Sequence, residues 1–231
     1  MPLIFIPSYS GSTSSDPYRD KVPFLLYAEG PDGSKSLYNS GTSGDVPFTF
    51  TGNTKISTAN FKFGGSSIET SNGYIWCDPV ESGTVLDSGD FTIEAWVYPR
   101  SHGNKAIIAR WENQSYIVSV YNGELGVSWA PYSTSVGLMV GGAVPLNTWT
   151  HIAVTRKGNT WRQFVNGVMT KTTEFARNAT ARSSVRTTIG SYSISSGGNS
   201  GPWDGFIDEL RVTKGVCRYE GNFVPPTGSF E

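Results

Sequence analysis

Apolar and polar positions alternate along this chain in short runs, and turn-forming residues separate the runs. VPFLLYA precedes the turn signal Gly30-Pro31-Asp32-Gly33, and Ser43-Gly44-Asp45 precedes VPFTFTG. YIWCDPV follows Asn72-Gly73, and FTIEAWVYP follows Ser88-Gly89-Asp90. KAIIARW, SYIVSVY, ELGVSWA, WTHIAVTRK, WRQFVN, GVMTKTTEF, VRTTIGSY and GFIDELRVT complete the series. Period-two alternation over such lengths predicts strands, and no long window carries a 3.6-residue apolar stripe. Asn122-Gly123 and Asn166-Gly167 sit between alternating runs. Both residue types tolerate positive φ, so each pair predicts a two-residue hairpin. The fold class expected is all-β, an antiparallel two-sheet jelly-roll sandwich.

The last run, GFIDELRVTKGVCRY, raises a question of charge. Strict alternation puts Phe206, Asp208, Leu210 and Val212 on one face and Ile207, Glu209 and Arg211 on the other. A carboxylate in line with Phe, Leu and Val is costly to bury unless it is paired or holds a metal. At the other end, residues 1–18 are rich in Ser, Pro and Gly around one apolar plug, Leu3, Ile4, Phe5 and Ile6. Two readings stay open for this arm: a solvated tail, or a segment that orders against a partner subunit. The expected organisation is an arm over 1–18 and one domain over 19–231, a length that a single sandwich accommodates.

Composition agrees with strands and turns: charged residues make up 16% of the 231, aromatics 13%, and there are 27 glycines. The net charge is -1 and no basic stripe stands out, so neither nucleic acid nor an anionic membrane is an implied partner. The N-terminus lacks a basic n-region and an adequate apolar h-region, which predicts synthesis in a host cytoplasm without a signal peptide. Cys77 and Cys217 read either as two free thiols in a reducing compartment or as a disulfide tying the first half to the C-terminal strand.

KFGGSSIE, DFTIEAWVYP, NTWTHIAVTRKGNTWRQFVNG and GFIDELRVTKGVCRYEGNFVPP, in that order, resemble the laminin-G-like, concanavalin A-like jelly-roll domains. The likeness is to the branch found in tailed-phage virion proteins, whose opening strand DPYRDKVPFLLYAEGPDGS also resembles, so it runs from about Asp16 to the C-terminus. The resemblance implies that Trp96 and Trp149 fill the core between two curved sheets. It also implies a structural calcium held partly by Asp208. The residues themselves favour another role for Asp208, accepting backbone N–H groups or an arginine and so locking the closing strand.

No catalytic constellation is visible. Glycosidases of this fold carry Glu-x-Asp-x-Glu on one strand, whereas here Asp208 and Glu209 are adjacent and Glu94 stands alone between Ile93 and Ala95. His151, on a strand with Ile152 and Val154, reads as structural. Three places offer a flat ring beside amides, hydroxyls or a carboxylate, as a sugar contact or partner contact requires: Trp111 with Asn113, Trp129 with Tyr132, and Trp203 with Asp204. Residues 191–205 read as a long recognition loop or a contact between subunits. The expected role is a non-enzymatic virion structural protein at the virion surface, a capsid decoration or cement protein. The alternative is a tail-fibre or tail-tip adhesin that binds host glycans. The expected partners are a major capsid or tail protein, further copies of the chain, and a glycan.

Overall fold

The computed structural model describes residues 16–78, 82–86, 89–110, 115–129, 137–175, 185–194 and 198–231. A short 3-10 turn, Arg19–Lys21, leads into β1 (Phe24–Leu26), β2 (Thr49–Phe50), β3 (Lys55–Ser57), β4 (Ser67–Thr70) and β5 (Ile75–Cys77). The long strand β6 (Phe91–Pro99) follows, then β7 (Asn104–Arg110), β8 (Tyr116–Tyr121), β9 (Glu124–Trp129) and β10 (Gly137–Ala143). The remainder are β11 (Thr150–Lys157), β12 (Thr160–Val165), β13 (Val168–Glu174), β14 (Thr187–Ile189), β15 (Tyr192–Ile194), β16 (Gly198–Ser200) and β17 (Gly205–Lys214).

The two Asn-Gly signals form the expected hairpins. Asn122 and Gly123 have φ of 51° and 89°, Asn166 and Gly167 of 48° and 76°, so both central residues are left-handed, as a type I′ turn needs. Hairpin β8–β9 follows in unbroken register, and β12–β13 follows with a bulge between Gln163 and Phe164. One sheet has eight strands in the order β13-β12-β11-β6-β17-β4-β3, with β1 also paired to β17. The other has seven, β10-β9-β8-β7-β14-β5-β2, and β15–β16 form a separate two-stranded ribbon. Every strand pairing among the described residues is antiparallel, which confirms the all-β sandwich.

Ile93, Ala95 and Val97 of β6, Ile152 and Val154 of β11, and Ile207 of β17 point between the sheets toward Val118, Val127 and Ile189. Trp129 stacks on Trp161 at 4.6 Å between centroids, and Trp203 is fully buried in the same core. Burial of such rings is the main driving force of a sandwich, at about 25 cal/mol per Å² of apolar surface.

Three expectations are corrected here, and one open alternative is decided. On β17 the ladder with β6 slips between Asp208 and Arg211, and Glu209 takes a φ of 52°. This β-bulge puts two residues opposite one, so the alternation changes phase: Ile207 and Leu210 both face the core, while Phe206, Asp208 and Arg211 face outward. Trp96 and Trp149, expected between the sheets, lie on the outer face of the eight-stranded sheet instead, where Trp96 pairs across to Asp208 and His151. Cys77 is buried in the core and Cys217 is partly exposed, and they form no disulfide, which decides for the first of the two cysteine readings. Finally, part of the supposed loop at 191–205 forms the β15–β16 ribbon, whose Tyr192 packs over Ala106, Ala109 and Ile117.

Gly167 sits where a Cβ would collide with the Phe223 carbonyl, whereas a Cβ on Gly158, also left-handed at φ 57°, meets nothing. Gly158→Ala should cost about 1 kcal/mol of backbone strain. Gly167→Ala should cost a further ~1–3 kcal/mol, since the C-terminal segment must shift. Urea denaturation of both variants checks this; equal losses would reject the contact.

Candidate functional site on the outer face of the eight-stranded sheet

The alternation that sends Ile93, Ala95 and Val97 inward sends Glu94, Trp96 and Tyr98 outward. Cross-strand pairing then sorts this outer face into three rows. The first holds Ala153, Glu94 and Arg211, the second His151, Trp96 and Asp208, and the third Tyr98, Phe206, Glu69 and Lys55. Trp149, one residue before β11, extends the third row beside Tyr98, with centroids 5.6 Å apart.

The first row is an ionic knot. Glu94 is fully buried and accepts from Arg211 Nε and Nη2 at 3.0 and 2.9 Å on one oxygen, and from the Tyr219 hydroxyl at 2.9 Å on the other. His151 Nε2 lies 3.4 Å from Glu94 Oε2, near enough for attraction but outside hydrogen-bond geometry. Arg211 reaches back to Asp16 at 3.1 Å, and Arg218 grips both Asp16 oxygens at 2.8 and 2.6 Å. Asp16 therefore belongs to the folded unit, not to the arm in which the sequence places it. Burial alone would raise the Glu94 carboxyl, but Arg211, His151 and Arg218 outweigh it and hold Glu94 at about 2. The aromatic rings of Tyr219, Phe223 and Phe230 close over this row and over His151.

Asp208, in the second row, receives three backbone N–H groups: Lys62 at 2.8 Å and Phe63 at 3.2 Å on one oxygen, and Glu209 at 2.9 Å on the other. It locks the segment around Lys62 and Phe63 onto the sheet, where the Phe63 ring meets Trp96 edge-on at 5.9 Å. Glu209, turned aside by the bulge, accepts the Phe230 N–H at 2.7 Å. Calcium needs converging oxygens. A carboxylate surrounded by N–H donors does not fit that sphere, and no metal-holding group of three His, Cys, Asp or Glu side chains occurs among the described residues.

Other sequence candidates scatter. Trp129 and Trp203 are 2% and 0% exposed, so neither can be the sugar platform expected of it. Their rings fill the core because the inward positions of both sheets demand large apolar groups. Asp204 stands at the edge of the third row, paired to Arg100 at 3.0 Å. Trp111, Asn113, Tyr132 and the Leu3, Ile4, Phe5 and Ile6 plug lie outside the described residues. Sequence reasoning missed Tyr98, Trp149 and Phe206 as a group. The signal was present in β6, where strict alternation puts Tyr98 and Trp96 on the face of Glu94.

These carboxyls set the response to pH. Burial pushes Asp208 up to about 7 against the pull of its N–H donors, and Glu209 up to about 8. Both bind protons more tightly when folded. The stability they contribute is therefore complete below their unfolded values, near 3.8 and 4.5, and is lost as pH rises through 7 and 8. Glu94 has the opposite sign: its contribution is present above 4.5 and lost as pH falls toward 2. Thermal melts should give the highest Tm at about pH 4 and a decline through neutrality that Asp208→Asn reduces. A Tm that holds or climbs from about pH 5 to 8.5 would overturn the assignment. EDTA should leave the melt unchanged; a lower Tm in chelator would restore calcium to Asp208.

A family model described as the concanavalin A-like lectin/glucanases superfamily matches residues 64–218. No curated protein matches the chain. Among solved structures, the binding domain of Paraclostridial Mosquitocidal Protein 1 is similar with a TM-score of 0.66 and 15% identity, over 85% of this chain and 49% of that one. Botulinum neurotoxin type C, which depends for entering cells upon interaction with two ganglioside molecules, gives 0.62 at 12% identity over 86% and 49%. The binding domain of botulinum neurotoxin DC, in complex with rat synaptotagmin II, gives 0.63 at 11% over 86% and 49%. The chain spans about half the length of these solved chains, and at such identities the likeness is one of fold. The family match, by contrast, covers more than half of this chain along the strands that build both sheets, and the protein belongs to the concanavalin A-like lectin/glucanases superfamily.

Proposed function

We propose that the chain is a non-catalytic recognition module of a virion, placed on the head as a decoration protein and attached through its N-terminal arm. The observation that carries the reading is the position of Arg211. It binds Asp16, just past the arm, and lies 3.9 Å from the Phe230 ring at the C-terminal end. Both ends of the described chain thus converge on the Glu94 row of the sheet's outer face. A tether there leaves the strand ends around Pro99, Gly205 and Thr150 to meet a partner. The carboxylates that might have done chemistry are engaged: Glu94, Asp208 and Glu209 are each at most 1% exposed and hold segments of the fold. Resemblance in sequence to virion jelly rolls supplies the particle context.

A second reading, a tail adhesin for host glycans, draws on the toxin binding domains of the same fold. Botulinum neurotoxin type C interacts with gangliosides, although within a chain about twice as long.

Antibody labelling of purified particles under the electron microscope separates the two. Label over the head is expected, and deletion of residues 1–15 should abolish particle binding while leaving the Tm unchanged. Label at the tail tip would replace the decoration reading with the adhesin. Absence of label on any particle would overturn both.

A further inference from the structure

Among the described residues, the central rows of the outer face, those of Glu94 and Trp96, are covered by the chain itself. Phe63 and Lys62 lie on Trp96, while Phe223 and Phe230 lie on His151. The cover thus consists largely of rings laid on a ring-rich face. It stops short of Trp149 and Tyr98, which remain partly exposed side by side. Phe206 continues their row at 5.7 Å from Tyr98, capped by the Arg100 guanidinium 5.2 Å from its centroid.

The rim of this row is polar and held in place. Trp149 Nε1 donates to Asn60 Oδ1 at 3.0 Å, which fixes the plane of the indole. Arg100 pairs with Asp204 at 3.0 Å and with Glu69 at 2.7 Å, and their side chains stay within reach of solvent at 32%, 35% and 17% exposure. Lys55 adds a contact to Glu69 at 3.7 Å. Positive and negative groups are thus matched inside the rim, and a charged ligand would have to break one of these pairs. A neutral ligand rich in hydroxyls would not: it can accept from Arg100 and donate to Asp204 while both stay paired.

We infer that Trp149, Tyr98 and Phe206, with Arg100 and Asp204, form a binding site for a neutral pyranose residue of a glycan. The C–H face of the sugar packs on the two partly exposed rings, and the rim takes its hydroxyls. The ligand is a sugar rather than an apolar peptide because Trp149 has the Asn60 amide beside it and Phe206 the Arg100 guanidinium. The opposite sheet offers no equivalent at its centre, where the β15–β16 ribbon already packs Tyr192 over Ala106, Ala109 and Ile117. The site lies two rows along β6 from the Arg211 anchor. It deepens the recognition-module reading but does not depend on where the module sits on a particle.

The test is titration calorimetry of the full chain with cellohexaose, maltohexaose and mannohexaose, and with sialyllactose as an acidic probe. At least one neutral hexasaccharide should bind. Trp149→Ala should weaken it by about tenfold or more, and Asp204→Asn, a surface change of equal size, by a smaller factor. Trp76→Ala, on the other sheet beneath Arg186, should leave affinity unchanged. Near-UV circular dichroism confirms that each variant is folded, and should Trp149→Ala not fold, Trp149→Phe and Asp204→Asn carry the test. The inference is overturned by any of four results. These are no heat with any neutral probe at about 10 mM, binding that the Trp149 and Asp204 variants do not alter, preference for sialyllactose, and binding seen only after removal of residues 1–15, which would make the arm the occupant. Particle labelling is read separately, so failure here leaves the virion assignment standing, and the converse holds too.

Discussion

The buried pair of Glu94 and Arg211 is the constraint on which the outer face depends. Stripping water from a carboxylate and a guanidinium costs several kcal/mol for each ion, and their attraction offsets this only when the remaining hydrogen-bonding groups are also satisfied. Here they are: Tyr219 takes the second oxygen of Glu94, and Asp16 takes the remaining arm of Arg211. Loss of one partner from such a pair costs about 3–5 kcal/mol, a large share of the ~5–15 kcal/mol that stabilises a typical domain. The knot also decides geography. Because Asp16, Tyr219 and Phe230 converge on it, the beginning and end of the described chain share one location.

Geometry at that knot follows from a single extra residue. The bulge at Glu209 turns Arg211 to the side of Glu94 and leaves Leu210 and Val212 in the core. It also divides two neighbouring carboxylates between two tasks. Asp208 fastens the segment at Lys62 and Phe63, and Glu209 fastens Phe230. Both carboxylates thus serve as clasps. What stays partly open is the pair of Trp149 and Tyr98, where the clasped cover ends beside the paired charges of Arg100 and Asp204.

The tryptophans show how far local sequence reasoning reaches. Trp129 and Trp203 sit beside polar loop-forming residues, which suggests a surface; the inward register of β9 and the closing of the sandwich bury them instead. Trp96 and Trp149 sit in apolar-looking runs, which suggests a core; yet the outward phase of β6 and the step before β11 bring them to the outer face. Neighbouring residues report hydrophobicity, but only the phase of a strand says which side receives it. In β6 the phase was legible from Ile93, Ala95 and Val97. In β17 it was hidden, since an ordinary Glu carries the left-handed bulge that Gly more often marks. Strand β10, GLMVGGA, and the ribbon at 192–200 escaped for a related reason: glycine and serine leave no alternation to read.

By itself the sequence determined the class of fold, the two Asn-Gly hairpins and most of the strands, because these depend on preferences expressed over a few adjacent residues. It also placed Asp208 in the role of a lock, through the cost of burying a charge in an apolar run. Tertiary structure alone decided what each lock holds. Glu94 meets Arg211 across 117 residues and Asp16 meets Arg218 across 202, and no local pattern encodes a partner so distant. The same is true of the aromatic row, whose members come from β6, β17 and the residue before β11, far apart in the chain, and become neighbours only through the register of β6 between β11 and β17.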